Sequence, residues 1–200
     1  TPEESYRFHI TNETHLGITV IRRKSFNIGY LLGKLSYLDL AHMDIYKLFD
    51  NKKYFQIDFN EKVNESDIEL IRELVDNSFD MSKTTATKTP LIKRNDIKID
   101  CNHTSYLASM HIVTKDQKGL IAYIAKIFDD FNVEIESAKL YTLKGMARDL
   151  LLIEKDGNKF TLKIEFLNHT NTIEYLFNVP EGGEGFKYWY NYFSDKFYYN

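Results

Sequence analysis

Apolar positions recur along this chain with two periods, and the periods alternate in a fixed order. Leu120, Ile121, Ile124, Ile127, Phe128 and Phe131 fall at helical spacing. The segment Met110 to Val113 precedes them, and an alternating run through Val133, Ile135, Ser137 and Lys139 follows. Strand, helix, strand is the predicted order, with one face of each element apolar. The same alternation returns at Phe55, Ile57 and Phe59 against Tyr54, Gln56 and Asp58, which predicts another strand. Ile68, Ile71, Val75 and Phe79 form a second helical stripe, and Ser66 to Glu69 reads as a capping box at its start. A Thr/Lys-rich stretch over 81–94, broken by Pro90, reads as a loop, and Ile97, Ile99 and Cys101 alternate as one more strand.

These patterns are repeated at an offset of 92 residues. Segment 27–46 set above 119–138 aligns Ile28 with Leu120, Leu32 with Ile124, Leu35 with Ile127 and Met43 with Ile135, without a gap. A shared hydrophobic period over this length predicts two copies of one supersecondary unit. The first copy reads as βαββαβ, the split βαβ or ferredoxin-like plan, so the expected class is α+β with tandem ferredoxin-like domains. Residues 1–14 read as an N-terminal extension, 15–101 as a degenerate first domain and 105–166 as the core of the second. In 167–200, a hairpin strand and an aromatic helix (Phe186, Trp189, Tyr190, Phe193, Phe197) are expected to pack on the second domain. The hairpin is atypical for the plan, because Phe160, Leu162, Ile164 and Phe166 alternate like a strand where a helix is due.

Composition removes whole classes of function. With 43% hydrophobic and 28% charged residues the chain folds rather than staying disordered. A formal charge of -3 gives no global attraction to nucleic acid or anionic membrane. No apolar run approaches the roughly 20 residues of a membrane span, and Cys101, the single cysteine, excludes an internal disulfide and a Cys-based zinc cluster. A cytoplasmic protein is expected. RNA recognition by a ferredoxin-like sheet would need a Lys/Arg-Gly-Phe/Tyr pattern that the chain lacks. Asp39, His42 and Asp44 are close in sequence, but at a helix-to-strand junction they are not expected to converge on a metal.

The order Ile99-Asp100-Cys101-Asn102, Ser105, Thr114-Lys115-Asp116-Gln117-Lys118-Gly119-Leu120, Ala138-Lys139-Leu140, Thr142, Gly145, Asp149 and Asp156-Gly157 resembles the ACT family of amino-acid-sensing domains. In particular it resembles the tandem ACT regulatory region at the end of bacterial PII uridylyltransferases, which read glutamine and modify the PII nitrogen-signalling protein. The resemblance covers about a third of the chain closely. It implies a regulatory module that binds a small amino acid, glutamine first, at Asp116, Lys118, Gly119 and Leu120, with Ser137 and Ala138 facing a partner domain. From chemistry alone, Gly119 permits a tight turn into a helix whose first N–H groups suit a carboxylate, while Asp116 either caps that helix or meets a ligand ammonium. Lys118 stands where the family has Pro. In the first copy Lys24 and Asn27 replace the Asp and Gly, so that copy is not expected to sense the same ligand, although Arg22, Arg23 and Lys24 could hold an anion.

No Gly-Ser turn followed by paired aspartates, no His-Asp pair, no Gly-x-Ser-x-Gly and no P-loop occurs. The chain is therefore expected to carry no catalytic residue, metal or cofactor of its own. It is expected to serve catalytic domains upstream of Thr1, with a PII-type protein and a second copy of the chain as further partners. The alternative is a non-ligand-binding ACT-like interaction module, and a more distant one an RNA-binding ferredoxin-like domain.

Overall fold

The computed structural model describes residues 7–23, 25–130, 132–154, 160–167 and 172–180. Lys24, Phe131, the pair Asp156-Gly157 and the aromatic segment 186–197 lie outside the described residues. Among the described residues the fold is α+β: eight antiparallel strands form one sheet, and three helices accompany it.

The first half runs β1 (Arg7–Thr11), β2 (Gly17–Arg22), α1 (Ile28–Lys34), β3 (Leu40–Lys47), β4 (Lys53–Phe59) and α2 (Ile68–Asn77). The second runs β5 (Ile97–Asp100), β6 (Ala108–Lys115), α3 (Leu120–Asp130), β7 (Glu134–Leu143) and β8 (Met146–Glu154). Across the sheet the order is β1-β2-β4-β3-β7-β8-β6-β5. The halves thus mirror each other about the β3/β7 seam, where Met43 pairs with Leu140 and Ile45 with Ala138. Adding 92 to 17–22, 28–34 and 53–59 gives 109–114, 120–126 and 145–151, which overlie β6, α3 and β8. The repeat read from hydrophobic period is therefore a repeat of structure.

Period two gives the sheet one apolar face. Ile18, Val20, Met43, Ile57, Met110, Ile112 and Leu151 on that face are 0% exposed, which places a single core between sheet and helices and across both halves. On α3 the stripe of Leu120, Ile124, Ile127 and Phe128 turns into this core. Small residues let α1 and α3 lie close, since a Cβ at Gly29 would come 3.2 Å from the backbone nitrogen of Lys126. Asn27 starts α1: its side-chain oxygen accepts from the Tyr30 N–H at 3.1 Å, and its amide donates to the carbonyls of Asp80 and Lys83.

Two expectations are corrected. The strand at 97–101 does not complete the first half. It pairs with β6, Ile99 opposite Met110, while the first half's edge beside β2 is taken by β1, which lies within the supposed extension 1–14. Phe8 and Ile10 on β1 pack against the core and close that edge, and Phe8 meets the Phe79 ring at 6.3 Å. The two halves accordingly share a ββαββ unit, followed by α2 in the first half, with its fourth strand first in sequence rather than last. The Ser66 capping box is also absent, because a 3-10 turn over Glu65–Asp67 leads into α2 and leaves the extended backbone of Asn64 at the entry. Ser66 then sits inside the turn rather than at a cap.

The expected hairpin after 160 is present as β9 (Phe160–Leu167) and β10 (Thr172–Pro180), a separate two-stranded sheet against α3 and β6. Among the described residues no helix is long and apolar enough to cross a membrane.

Candidate functional site

The loop between β6 and α3 is held from three directions. The Asp116 N–H donates to the Gly145 carbonyl at 2.9 Å, tying the loop to the β7–β8 turn. Gln117 grips the backbone of Leu91, donating to its carbonyl at 2.7 Å and accepting from its N–H at 2.8 Å. Lys118 reaches across the seam, its ammonium donating to the Tyr37 carbonyl at 3.0 Å. Gly119 has φ +83°, a left-handed conformation that a side chain disfavours, and Leu120 behind it is buried. Lys118 is therefore a bridge between the halves.

This loop forms one wall of a cleft of about 60 Å³. The opposite wall comes from the first half, with Leu35, Leu38, Asp39 and His42, and the floor from Tyr141, Ala147 and Asp149. Asp149 is the unusual member. On β8 the residues Ala147, Asp149, Leu151 and Ile153 all face the core, and Asp149 is only 6% exposed with its Oδ2 lacking any hydrogen-bond partner. Burial pushes its carboxyl up to about 7, and the nearby charge of Asp116 adds to the rise. An unpaired carboxyl in an apolar row is costly to folding and marks a candidate site.

Of the residues singled out from sequence, Asp116, Lys118, Gly119 and Leu120 all border the cleft. Ser137 and Ala138 do not. Ala138 is buried at the seam opposite Ile45, and Ser137 is half-buried just past a bulge at Glu136, both nearer the other end of β7. Sequence reasoning passed over Asp149 as a site residue, yet the repeat contained the signal: 149 minus 92 is 57, and Ile57 is a fully buried aliphatic. A carboxylate where the other copy keeps isoleucine breaks the apolar pattern. His42 does not join Asp39 and Asp44; its Nε2 lies 2.8 Å from Asp58, which His15 also meets at 3.1 Å. Among the described residues no group of three His, Cys, Asp or Glu is placed to hold a metal.

The mirror-related position on the far side of α1 and α3 is also a cleft, lined by Phe26, Ile28, Lys53, Phe128, Glu134 and Ile135. Its buried ammonium is already matched, while Glu136 Oε2 beside it, 3.9 Å from Lys53 Nζ, has no hydrogen-bond partner. Lys53 donates to Glu134 at 2.6 Å and to the Ile135 carbonyl at 2.8 Å, and Lys47 meets Glu136 at 2.8 Å. The two clefts thus differ in chemistry: one holds a carboxylate oxygen without a partner, the other an ammonium with two. No family model, no curated protein and no solved structure matches this chain.

Proposed function

We propose that this chain is an ACT-type regulatory module, built of two ββαββ halves, that senses a small amino acid on behalf of a PII uridylyltransferase-like enzyme; the resemblance taken alone names glutamine. The observation that carries the proposal is the cleft itself: the 116–120 loop faces the other half of the molecule across a pocket holding an unpaired buried carboxyl. Amino-acid recognition needs an acceptor for the ammonium and donors for the carboxylate. Asp116 and Asp149 supply the first, and the opening turn of α3 supplies the second through the Ile121 and Ala122 N–H groups, since the Leu120 N–H already donates to the Gln117 carbonyl and the Tyr123 N–H to the Gly119 carbonyl. Because the ligand would touch both halves, it would bind two arrangements of the β3/β7 seam with different affinities, and that difference is the regulatory signal.

The test is a thermal-shift and calorimetry screen of the twenty amino acids on the native chain and on Asp116→Ala and Gly119→Val. At about 100 times its dissociation constant a true ligand stabilises the fold by about 2.7 kcal/mol. Gly119→Val acts through the backbone, since a Cβ there meets nothing within 4 Å while φ +83° strains the new residue. Both variants are expected to lose the response. If no amino acid shifts the native protein at millimolar levels, the chain is instead an interaction module without a small-molecule ligand.

A further inference from the structure

The lining of the cleft narrows the class of ligand. Three carboxylates border it: Asp39 before β3, Asp116 in the loop and Asp149 on β8. At its edge the Lys118 ammonium is engaged with the Tyr37 carbonyl, and the His42 ring meets Asp58. A buried carboxylate is best satisfied by a charge-assisted N–H bond, and a neutral amide brings no charge to offset the desolvation of Asp149. Resting on the sensing function proposed above, we infer that the ligand is a basic amino acid, its side-chain ammonium or guanidinium seated on Asp149 and its α-ammonium on Asp116 at the mouth. Its carboxylate then faces the first turn of α3. Glutamine would leave Asp149 without a cation.

Binding of this kind is linked to protons. Burial beside Asp116 keeps the Asp149 carboxyl partly protonated near neutrality, whereas a bound cation favours the ionised form. The other titratable or charged groups bordering the cleft are Asp39 and His42 from the first half, Lys118 from the loop and Tyr141 from β7. The faces of α1 and α3 turned to the cleft bring only apolar side chains such as Leu32, Leu35 and Ile121. Below pH 7 the ligand must displace the Asp149 proton. Affinity is therefore expected to rise about tenfold from pH 6 to pH 8, with close to one proton released at pH 6.

Calorimetry on the whole chain tests this with L-lysine, L-arginine, L-glutamine and butane-1,4-diamine, at both pH values and in two buffers of different protonation enthalpy. Lysine or arginine is expected to bind tightest, the diamine more weakly for want of a carboxylate, and glutamine weakest. Asp149→Asn keeps the shape, and is expected to weaken lysine at least tenfold and abolish the proton release. Glutamine binding that exceeds lysine, or lysine binding indifferent to Asp149→Asn, would overturn the cationic ligand and leave amino-acid sensing standing. Binding of none of the four overturns the cationic ligand, and the twenty-amino-acid screen then decides separately whether sensing survives.

Discussion

Phe128→Ala is expected to destabilise the protein by about 3–5 kcal/mol, the range for deleting a buried aromatic side chain. Phe128 is 1% exposed on α3, within a core that continues through α1, β3 and β7 into the first half. The cavity cannot be relieved locally, because the helix is fixed against α1 by the close approach at Gly29. At roughly 2–4 °C per kcal/mol for a chain of this size, the midpoint of thermal unfolding should fall by about 10 °C. One transition is expected by both far- and near-ultraviolet circular dichroism, since both halves share the core. A loss below about 1 kcal/mol, or two separated transitions, would mean that the seam does not unite the halves.

The second large effect has the opposite sign. Asp149→Asn is expected to stabilise the protein above neutral pH. In the unfolded chain the carboxyl ionises near pH 3.9, while in the fold burial holds it protonated up to about 7. Below about pH 4 both states carry the proton and Asp149 costs little. Between about pH 4 and 7 the unfolded state releases its proton first, so stability falls as pH rises and levels off above 7. The full penalty is roughly 4 kcal/mol, of which Asn recovers part because its own amide still lacks a partner. A gain of about 2–3 kcal/mol at pH 8 that vanishes near pH 4, measured by urea unfolding of both proteins, is the expected outcome. Parallel pH profiles would show that Asp149 is not buried as described. Retaining such a cost is typical of a functional site, where the group that weakens the fold is the one that meets the ligand.

How far the sequence carried the structure follows from what each signal measures. Helical and alternating periods report which face of an element is buried, so α3, β4, β7 and the repeat at offset 92 were all readable. Strand partners are set elsewhere. Ile97, Ile99 and Cys101 alternate equally well for either sheet edge, and only the placement of β1 beside β2 and the grip of Gln117 on Leu91 send β5 to the second half. The capping box failed for a local reason, because Ser66 matched the motif while the chain entered α2 through one more turn, starting at Asn64. At the site, the loop 116–120 was found from its glycine and acid, whereas the opposing wall of Leu38, Asp39 and His42 depends on how the halves meet. The resemblance implies that Ser137 and Ala138 face a partner. Ala138 does sit at the seam, but toward the end of β7 away from the cleft.

The central claim is that the cleft between the halves at 116–120 is a ligand site, and amide NMR tests it most directly. A ¹⁵N-labelled sample is titrated with the best-binding amino acid at pH 8 while ¹H–¹⁵N peaks are followed. The expected result is saturable shifts concentrated on 116–122, on 36–42 across the seam and on residues flanking Asp149, with the mirror cleft around Phe26 and Lys53 unmoved. Saturable shifts centred on that second cleft, or none at the turn at millimolar ligand, would contradict it.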